Sequence, residues 1–253
     1  MEFENRVAIL TAGAGGFGSA AARMMAKEGA DIVIADLDQD SSQALVKEIQ
    51  GMGRRAMFVR TDVSVKADAQ NLAKTAADAF GRIDILVNIA GNSQVAPLEE
   101  MSEADFDRTI AIHLKGTFLC SQAAIAYMKR NNFGRIVNII SRAAFKPRVG
   151  VGAYSAAKGA ILSMSRVLAA EVAQYGINVN CVAPGTALTK MVRTGFPTAE
   201  DQMREATGSG VITRPVRLAH PEEIAAAIVF LCSTPSAHIT GSTIHVNGGT
   251  FMP

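Results

Sequence analysis

The sequence has 253 residues, enough for one large α/β domain or two small ones, and its 49% apolar and 19% charged content is that of a chain folding around a sizeable core. Twenty-five basic residues stand against 23 acidic ones, a formal charge of +2, and they are spread without a block of one sign. That pattern offers no footprint for nucleic acid or an anionic membrane surface, so neither is an expected partner.

The chain opens with the apolar stretch Val7 to Ala14, which is too short to span a membrane and runs straight into glycines. It predicts a buried strand rather than a signal peptide, and hence a cytoplasmic protein. Strands are expected at Arg6 to Thr11, Asp31 to Ala35, Ala56 to Arg60, Ile83 to Asn88, Arg135 to Ile140, Ile177 to Val182 and Thr243 to Val246. Between them, helices are expected at Gly16 to Lys27, Ser41 to Gln50, Lys66 to Phe80, Ser102 to Lys129, Ala153 to Gln174 and Pro221 to Cys232. Ser102 and Pro221 are start signals, each followed by acidic residues that favour the positive end of the helix dipole.

Strands apolar on consecutive positions need cover on both faces, and strand–helix alternation makes the sheet parallel. The expected fold is therefore α/β: a Rossmann-type doubly wound parallel sheet of about seven strands with helices on both faces. No linker or repeat divides the chain, so residues 1–253 are expected to form one dinucleotide-binding and catalytic domain. Residues 186 to 217 contain Gly195, Pro197, Gly208, Gly210 and Pro215 with little periodicity, which predicts a mobile substrate loop.

Directly after the first strand, Gly13, Gly15 and Gly18 stand in GxGxxG spacing, with Gly16 among them, at the opening of the first helix. Glycines here let the backbone approach a pyrophosphate, and the helix start presents unpaired N–H groups and a positive dipole end. Asp36 ends the second strand, where a carboxylate can accept hydrogen bonds from the adenine-ribose hydroxyls and would repel a 2′-phosphate. The expected cofactor is NAD(H), favoured over NADP(H). Further along, GAYSAAKG puts Tyr154 and Lys158 one turn apart on one helical face. A phenol with an ordinary pKa of about 10 is a poor base at neutral pH, and an adjacent ammonium together with a cationic nicotinamide ring would favour its ionised form.

Taken in order, these motifs resemble the short-chain dehydrogenase/reductase (SDR) family along essentially the whole chain. The resemblance rests on the glycine loop, Asp36, Asp62 in TDVS, Asn88 to Gly91 in NIAG, Ser141 in NIIS, Tyr154 with Lys158, and Pro184 and Gly185 before Thr189. It implies an oxidoreductase that moves a hydride between a nicotinamide and a secondary alcohol or ketone. Tyr154 would be the general acid/base, Lys158 would lower its pKa and bind the nicotinamide ribose, and Ser141 would hydrogen-bond the substrate oxygen. Asp62 and Val63 would border the adenine, Asn88, Ala90 and Gly91 the ribose region, and Pro184, Gly185 and Thr189 the nicotinamide end. Phe17, Leu37 and Thr186 complete the expected cofactor contacts.

Three positions depart from the family pattern. Ala12 stands where the glycine loop usually begins with glycine, which is tolerable if the torsions there suit a methyl group. Ile89 replaces an amide that often pins neighbouring strands. His113, in IAIHLKGTF, takes the place of the asparagine that completes the catalytic tetrad and helps position a water beside the lysine. It is expected to act through its backbone carbonyl or through its ring.

Arg142, Lys146, Arg148, Arg193 and Arg204 fall in segments that shape the substrate pocket in this family, beside Asn92, Ser93 and Gln94. Ser93, Gln94, Arg142 and Arg148 are the candidate substrate contacts, and the positive charge suits a small molecule carrying a carboxylate, phosphate or acyl thioester. A 3-oxoacyl thioester (ACP or CoA) reductase or 3-hydroxyacyl dehydrogenase is the alternative enzyme, and a catalytically idle NAD-binding sensor or assembly subunit the alternative of another class. Small and apolar residues on several helix faces, with the resemblance, imply a homotetramer. Cys120, Cys181 and Cys232 read as core thiols, and His113, His220, His238 and His245 lack metal-ligand spacing.

Overall fold

The computed structural model describes every residue except 93, 147, 190, 191, 193–197, 209, 214, 215 and 253. Strands and helices alternate in chain order as β1 (Val7–Thr11), α1 (Gly16–Lys27), β2 (Asp31–Asp36), α2 (Gln39–Gly51), β3 (Ala56–Arg60), α3 (Lys66–Phe80) and β4 (Ile85–Asn88). There follow α4 (Glu103–Ile110), α5 (Gly116–Asn131), β5 (Gly134–Ile139), α6 (Gly152–Val172), β6 (Ile177–Pro184), α7 (Ala199–Gly208), α8 (Pro221–Cys232) and β7 (Thr243–Val246). All neighbouring strands pair in parallel, in the order β3-β2-β1-β4-β5-β6-β7. This is the expected Rossmann-type α/β fold.

The β1 strand shows why consecutive apolar residues are needed. Ala8 and Leu10 join the core under α1 and α8, whereas Val7 and Ile9 join the core under α3 and α5. Both layers are buried, and losing a side chain such as Ile9 to alanine would cost about 2–5 kcal/mol. The three cysteines are free and buried, and burial pushes the Cys120 thiol up to about 12. Among the described residues, no helix is long and apolar enough to cross a membrane.

Element boundaries shift for local reasons. The α2 helix starts two residues before Ser41 because the Asp38 side chain caps it, accepting from the Ser41 amide at 3.1 Å. A single helix over Ser102 to Lys129 is corrected to α4 and α5 joined by a π-helical turn, Ala111–Lys115, with His113 at its centre. The loop expected over residues 186 to 217 contains a helix, α7, whose amphipathic pattern is masked by the surrounding glycines and prolines. Gly195, Pro197 and Pro215 lie outside the described residues.

Candidate active site

In a parallel sheet, ligands bind beyond the carboxyl ends of the strands where the strand order reverses, here between β1 and β4. The chain leaves β1 at Ala12, which adopts a left-handed φ of 49° despite its methyl group. Gly13 and Gly18 turn inward. A Cβ on Gly13 would stand 2.7 Å from the Leu10 carbonyl oxygen, and one on Gly18 2.5 Å from that of Ala12. Gly15, Gly16 and Phe17 instead face a cavity of about 800 Å³. The α1 helix has no side-chain cap and no acidic residue in its first turn, so its N–H groups and positive dipole end remain available to an anion. This cradle fits a dinucleotide pyrophosphate.

Asp36 braces the same loop. Its carboxylate accepts the amides of Ala14 at 3.2 Å, Leu37 at 2.8 Å and Asp38 at 3.1 Å. A carboxylate has about four lone-pair sites, which leaves acceptor capacity for a ribose hydroxyl.

At the end of β4, the Thr11 hydroxyl accepts the amides of Ile89 at 2.9 Å and Ala90 at 3.1 Å. Thr11 thereby ties β1 to β4, so the loss of an amide side chain at position 89 does not leave this turn unbraced. Asn88 donates to Asn138 at 2.8 Å and to Ser121 at 3.0 Å, and Asn138 donates on to Ser165 at 2.8 Å. That chain joins β4, β5, α5 and α6 beneath the site.

The π turn delivers the His113 ring under the Gly91–Asn92 backbone. Its Nε2 lies 2.9 Å from the Asn92 carbonyl oxygen and 3.1 Å from the Asn92 amide nitrogen, and a Cβ on Gly91 would meet the ring at 2.2 Å. Only glycine admits the imidazole at that point. Burial, with the neighbouring Lys158 charge, pushes the His113 pKa down to about 3, so the ring is neutral. Its Nδ1 is buried with no partner among the described residues, and its backbone carbonyl accepts the Thr117 hydroxyl at 2.7 Å.

The α6 helix starts at Gly152, placing Tyr154 and Lys158 in its first two turns. Lys158 is 3% exposed and donates to the Ile139 carbonyl oxygen at 2.5 Å; burial pushes its pKa down to about 7. Its ammonium lies 5.6 Å from the centre of the Tyr154 ring, and the His113 ring stands edge-on to Tyr154 at 5.2 Å. Burial raises the Tyr154 pKa, and a hydrogen bond from Ser141 opposes that rise. Ser141 follows β5, where its hydroxyl also accepts the Ala143 amide at 3.1 Å. Ser141, Tyr154, Lys158 and His113 thus meet in the lining of one cavity.

Residues 6–200 match the short chain dehydrogenase family. The chain belongs to that family. Its relatives include the (2S)-[(R)-hydroxy(phenyl)methyl]succinyl-CoA dehydrogenase subunit BbsD of Thauera aromatica, 42% identical over 252 residues that cover 98% of each chain. A cis-4-hydroxycyclohexanecarboxylate dehydrogenase of Sinomonas cyclohexanicum is 37% identical, covering 98% of this chain and 97% of the relative. The D-threitol dehydrogenase of Mycolicibacterium smegmatis is 38% identical, covering 97% and 93%. This short-chain dehydrogenase is accordingly an oxidoreductase of alcohol and carbonyl groups, in a family that implies a nicotinamide cofactor.

The short-chain dehydrogenase cavity gathers most of the residues singled out from sequence. Gly15, Gly16, Phe17, Gly91, His113, Ser141, Arg142, Arg148, Tyr154, Lys158, Pro184, Gly185, Thr186 and Thr189 all line it. Asp62 faces its own loop, accepting the Ser64 amide at 3.0 Å and hydroxyl at 2.6 Å. Val63, Asn88 and Ala90 line a small separate recess with Thr11. Gln94 turns to Asp105 at 3.3 Å, and Ser93 and Arg193 lie outside the described residues. Arg204 points to Glu200 and Asp201, each at 3.7 Å. Lining residues with no sequence signal include Ile139, whose carbonyl anchors Lys158, and Glu205 of α7.

Proposed function

We propose that the protein is an NAD(H)-dependent dehydrogenase of a small secondary alcohol, interconverting it with the ketone and using Tyr154 as general acid/base. The observation that carries this reading is the convergence of Tyr154, Ser141 and Lys158 in the cavity onto which the glycine cradle opens. Gly15, Gly16 and Phe17 would hold the pyrophosphate, Asp36 the adenine ribose, and Lys158, Pro184, Gly185 and Thr189 the nicotinamide end. Bound NAD supplies a hydride acceptor and a positive charge that favours the phenolate. Ser141 holds the substrate oxygen, and Tyr154 takes the hydroxyl proton during oxidation and returns it during reduction. Lys158, anchored by Ile139, stabilises the phenolate, while neutral His113 holds the Gly91–Asn92 turn against the site.

Asp36 favours NAD, because its carboxylate stands at the end of β2 and would repel a 2′-phosphate. The test is turnover of a panel of secondary alcohols with NAD and NADP by wild type and Asp36→Ser. Wild type should prefer NAD, and the substitution should erase that preference. Preference for NADP by wild type, or no turnover with either cofactor, would overturn the reading.

Cationic side chains on the cavity wall, Arg142, Lys146 and Arg148, support a second reading as a 3-hydroxyacyl thioester dehydrogenase. By name, two relatives act on an acyl-CoA and on a ring carboxylate, and a third on a polyol. We further propose a homotetramer acting in the cytoplasm. The exposed Phe118 of α5 and Val167 of α6 support the subunit contacts, and sedimentation of the purified protein tests the tetramer.

A further inference from the structure

We infer that Arg142 and Arg148 form an anion subsite whose counter-ion in the absence of ligand is Glu205, so that the preferred substrate carries a carboxylate or phosphate beyond its reacting carbinol. This deepens the dehydrogenase reading and rests on it. Arg142 directly follows Ser141, the residue placed at the substrate oxygen, and starts the short 3-10 turn Arg142–Ala144. The residue placed at the carbinol and the residue proposed for the anion are thus neighbours in the chain and line one cavity. Arg148 comes from the same connection between β5 and α6 and lines the same wall. Lys146 adds charge but is tethered, donating to the Thr250 carbonyl oxygen at 3.4 Å.

Across the cavity, α7 contributes Glu205, the sole acid among its described lining residues, which accepts from the Thr186 hydroxyl at 3.4 Å. Arg142 is half-buried; burial and the Arg148 charge pull its pKa down, and Glu205 pulls it up. Two guanidinium groups at a cavity wall repel each other, and an anion between them turns that repulsion into charge-assisted, bidentate contact. A substrate anion must compete with Glu205, which gives the arginines and the glutamate opposite signs of effect.

Two matched pairs read the subsite with NAD: 3-hydroxybutyrate against 3-hydroxybutyramide, and 3-hydroxybutyryl-CoA against its N-acetylcysteamine thioester. The first pair reports a carboxylate on the substrate, the second the phosphates of a coenzyme arm. Wild type should favour the anionic member of at least one pair by about tenfold in kcat/KM, the scale of one charge-assisted hydrogen bond. Arg142→Gln and Arg148→Gln should reduce that ratio, Arg142→Lys should restore part of it, and Glu205→Gln should raise it. Equal use of both members of both pairs overturns the subsite, as does a Glu205→Gln effect of the same sign as the arginine variants. If none of the four turns over while the secondary-alcohol panel does, the dehydrogenase reading stands, and calorimetric titration of the NAD-loaded protein with butyrate and butyryl-CoA reads the subsite alone. Tighter binding to wild type than to Arg142→Gln supports it, and equal or absent binding overturns it.

Discussion

The two ends of the parallel sheet carry similar polar residues and use them in opposite ways. At the amino end, Asp84 is fully buried and fully engaged: it accepts the Val7 amide at 2.9 Å, Arg6 at 3.0 Å and Arg82 at 2.6 and 2.7 Å. Asp31 nearby takes Arg54 at 3.1 Å and Arg55 at 2.6 Å. At the carboxyl end, among the described residues, His113 Nδ1 and the Asn92 side-chain oxygen are buried without partners, α1 has no side-chain cap, and Lys158 donates to the Ile139 carbonyl. Polar groups that satisfy one another hold the chain together. Orphaned buried atoms alone do not set the ends apart, since Arg54 Nε and Arg135 Nε at the amino end also lack partners among the described residues. What distinguishes the carboxyl end is that the unpartnered His113 and Asn92 groups belong to residues lining the cavity.

The largest expected effect breaks the carboxyl end alone. Tyr154→Phe removes the hydroxyl proposed to transfer the proton and keeps the ring against His113, so kcat should fall by about 10²- to 10⁴-fold with folding and NAD affinity retained. Steady-state kinetics with calorimetric titration of NAD checks both halves. Loss of NAD binding in parallel with kcat would show that the phenol is structural rather than catalytic.

Asp84→Ala should give the converse result. Removing the carboxylate strands the buried Val7 amide and leaves the partly exposed Arg6 and Arg82 guanidinium groups to water, at a cost of about 1–3 kcal/mol in denaturant unfolding. KM for NAD should hold in the molecules that remain folded. If activity per folded molecule falls as well, the two ends are coupled through β1 and β4 more tightly than their separate hydrogen-bond networks imply.

A smaller effect sharpens the role of the neutral imidazole. In the unfolded chain His113 takes up a proton below its ordinary value of 6.5, whereas in the fold it does so only near 3. Across that window the unfolded state binds more protons, so this residue's contribution to stability is full above 6.5 and is lost as the pH falls toward 3. Melting temperatures of the cofactor-free protein should drop with acidification over that range, and less steeply for His113→Asn. Identical slopes would place the acid sensitivity elsewhere.

Much of this contrast was legible in the sequence, and the part that was not has a physical cause. Glycine spacing, Asp36 and the Tyr154–Lys158 pair announce themselves because each needs a particular side chain at a particular turn. The five inner strands were legible from apolar runs, since burial on both faces leaves a strand little choice of residue, whereas the partly buried edge strands β3 and β7 were legible from their place in the strand–helix alternation. The π turn at Ala111–Lys115 was not, because a single extra residue in a helical turn leaves the apolar pattern nearly unchanged. Ile139 carries no signal, since any residue offers the same carbonyl to Lys158. Glu205 belongs to a short helix among glycines and prolines, and only folding brings it opposite Arg142. Asn88 and Gly18 show the reverse case, family positions whose side chain or lack of one serves packing here rather than the cavity.

The smallest expected effect concerns strain at the carboxyl end. Ala12 holds a left-handed φ of 49°, which costs an alanine roughly 1–2 kcal/mol that glycine would not incur. The conformation is fixed from both sides: the Ala12 carbonyl accepts the Gly15 amide at 3.1 Å, and Gly18 packs against it too closely for any Cβ. Ala12→Gly should therefore stabilise the protein, by up to about 1 kcal/mol once the added freedom of the unfolded glycine is subtracted. If the loop needs only its backbone shape, KM for NAD will be unchanged while the melting temperature rises. A raised KM in the stabilised variant would show instead that the alanine keeps the cradle stiff, so that the strain sits at the end of the sheet where binding recovers it.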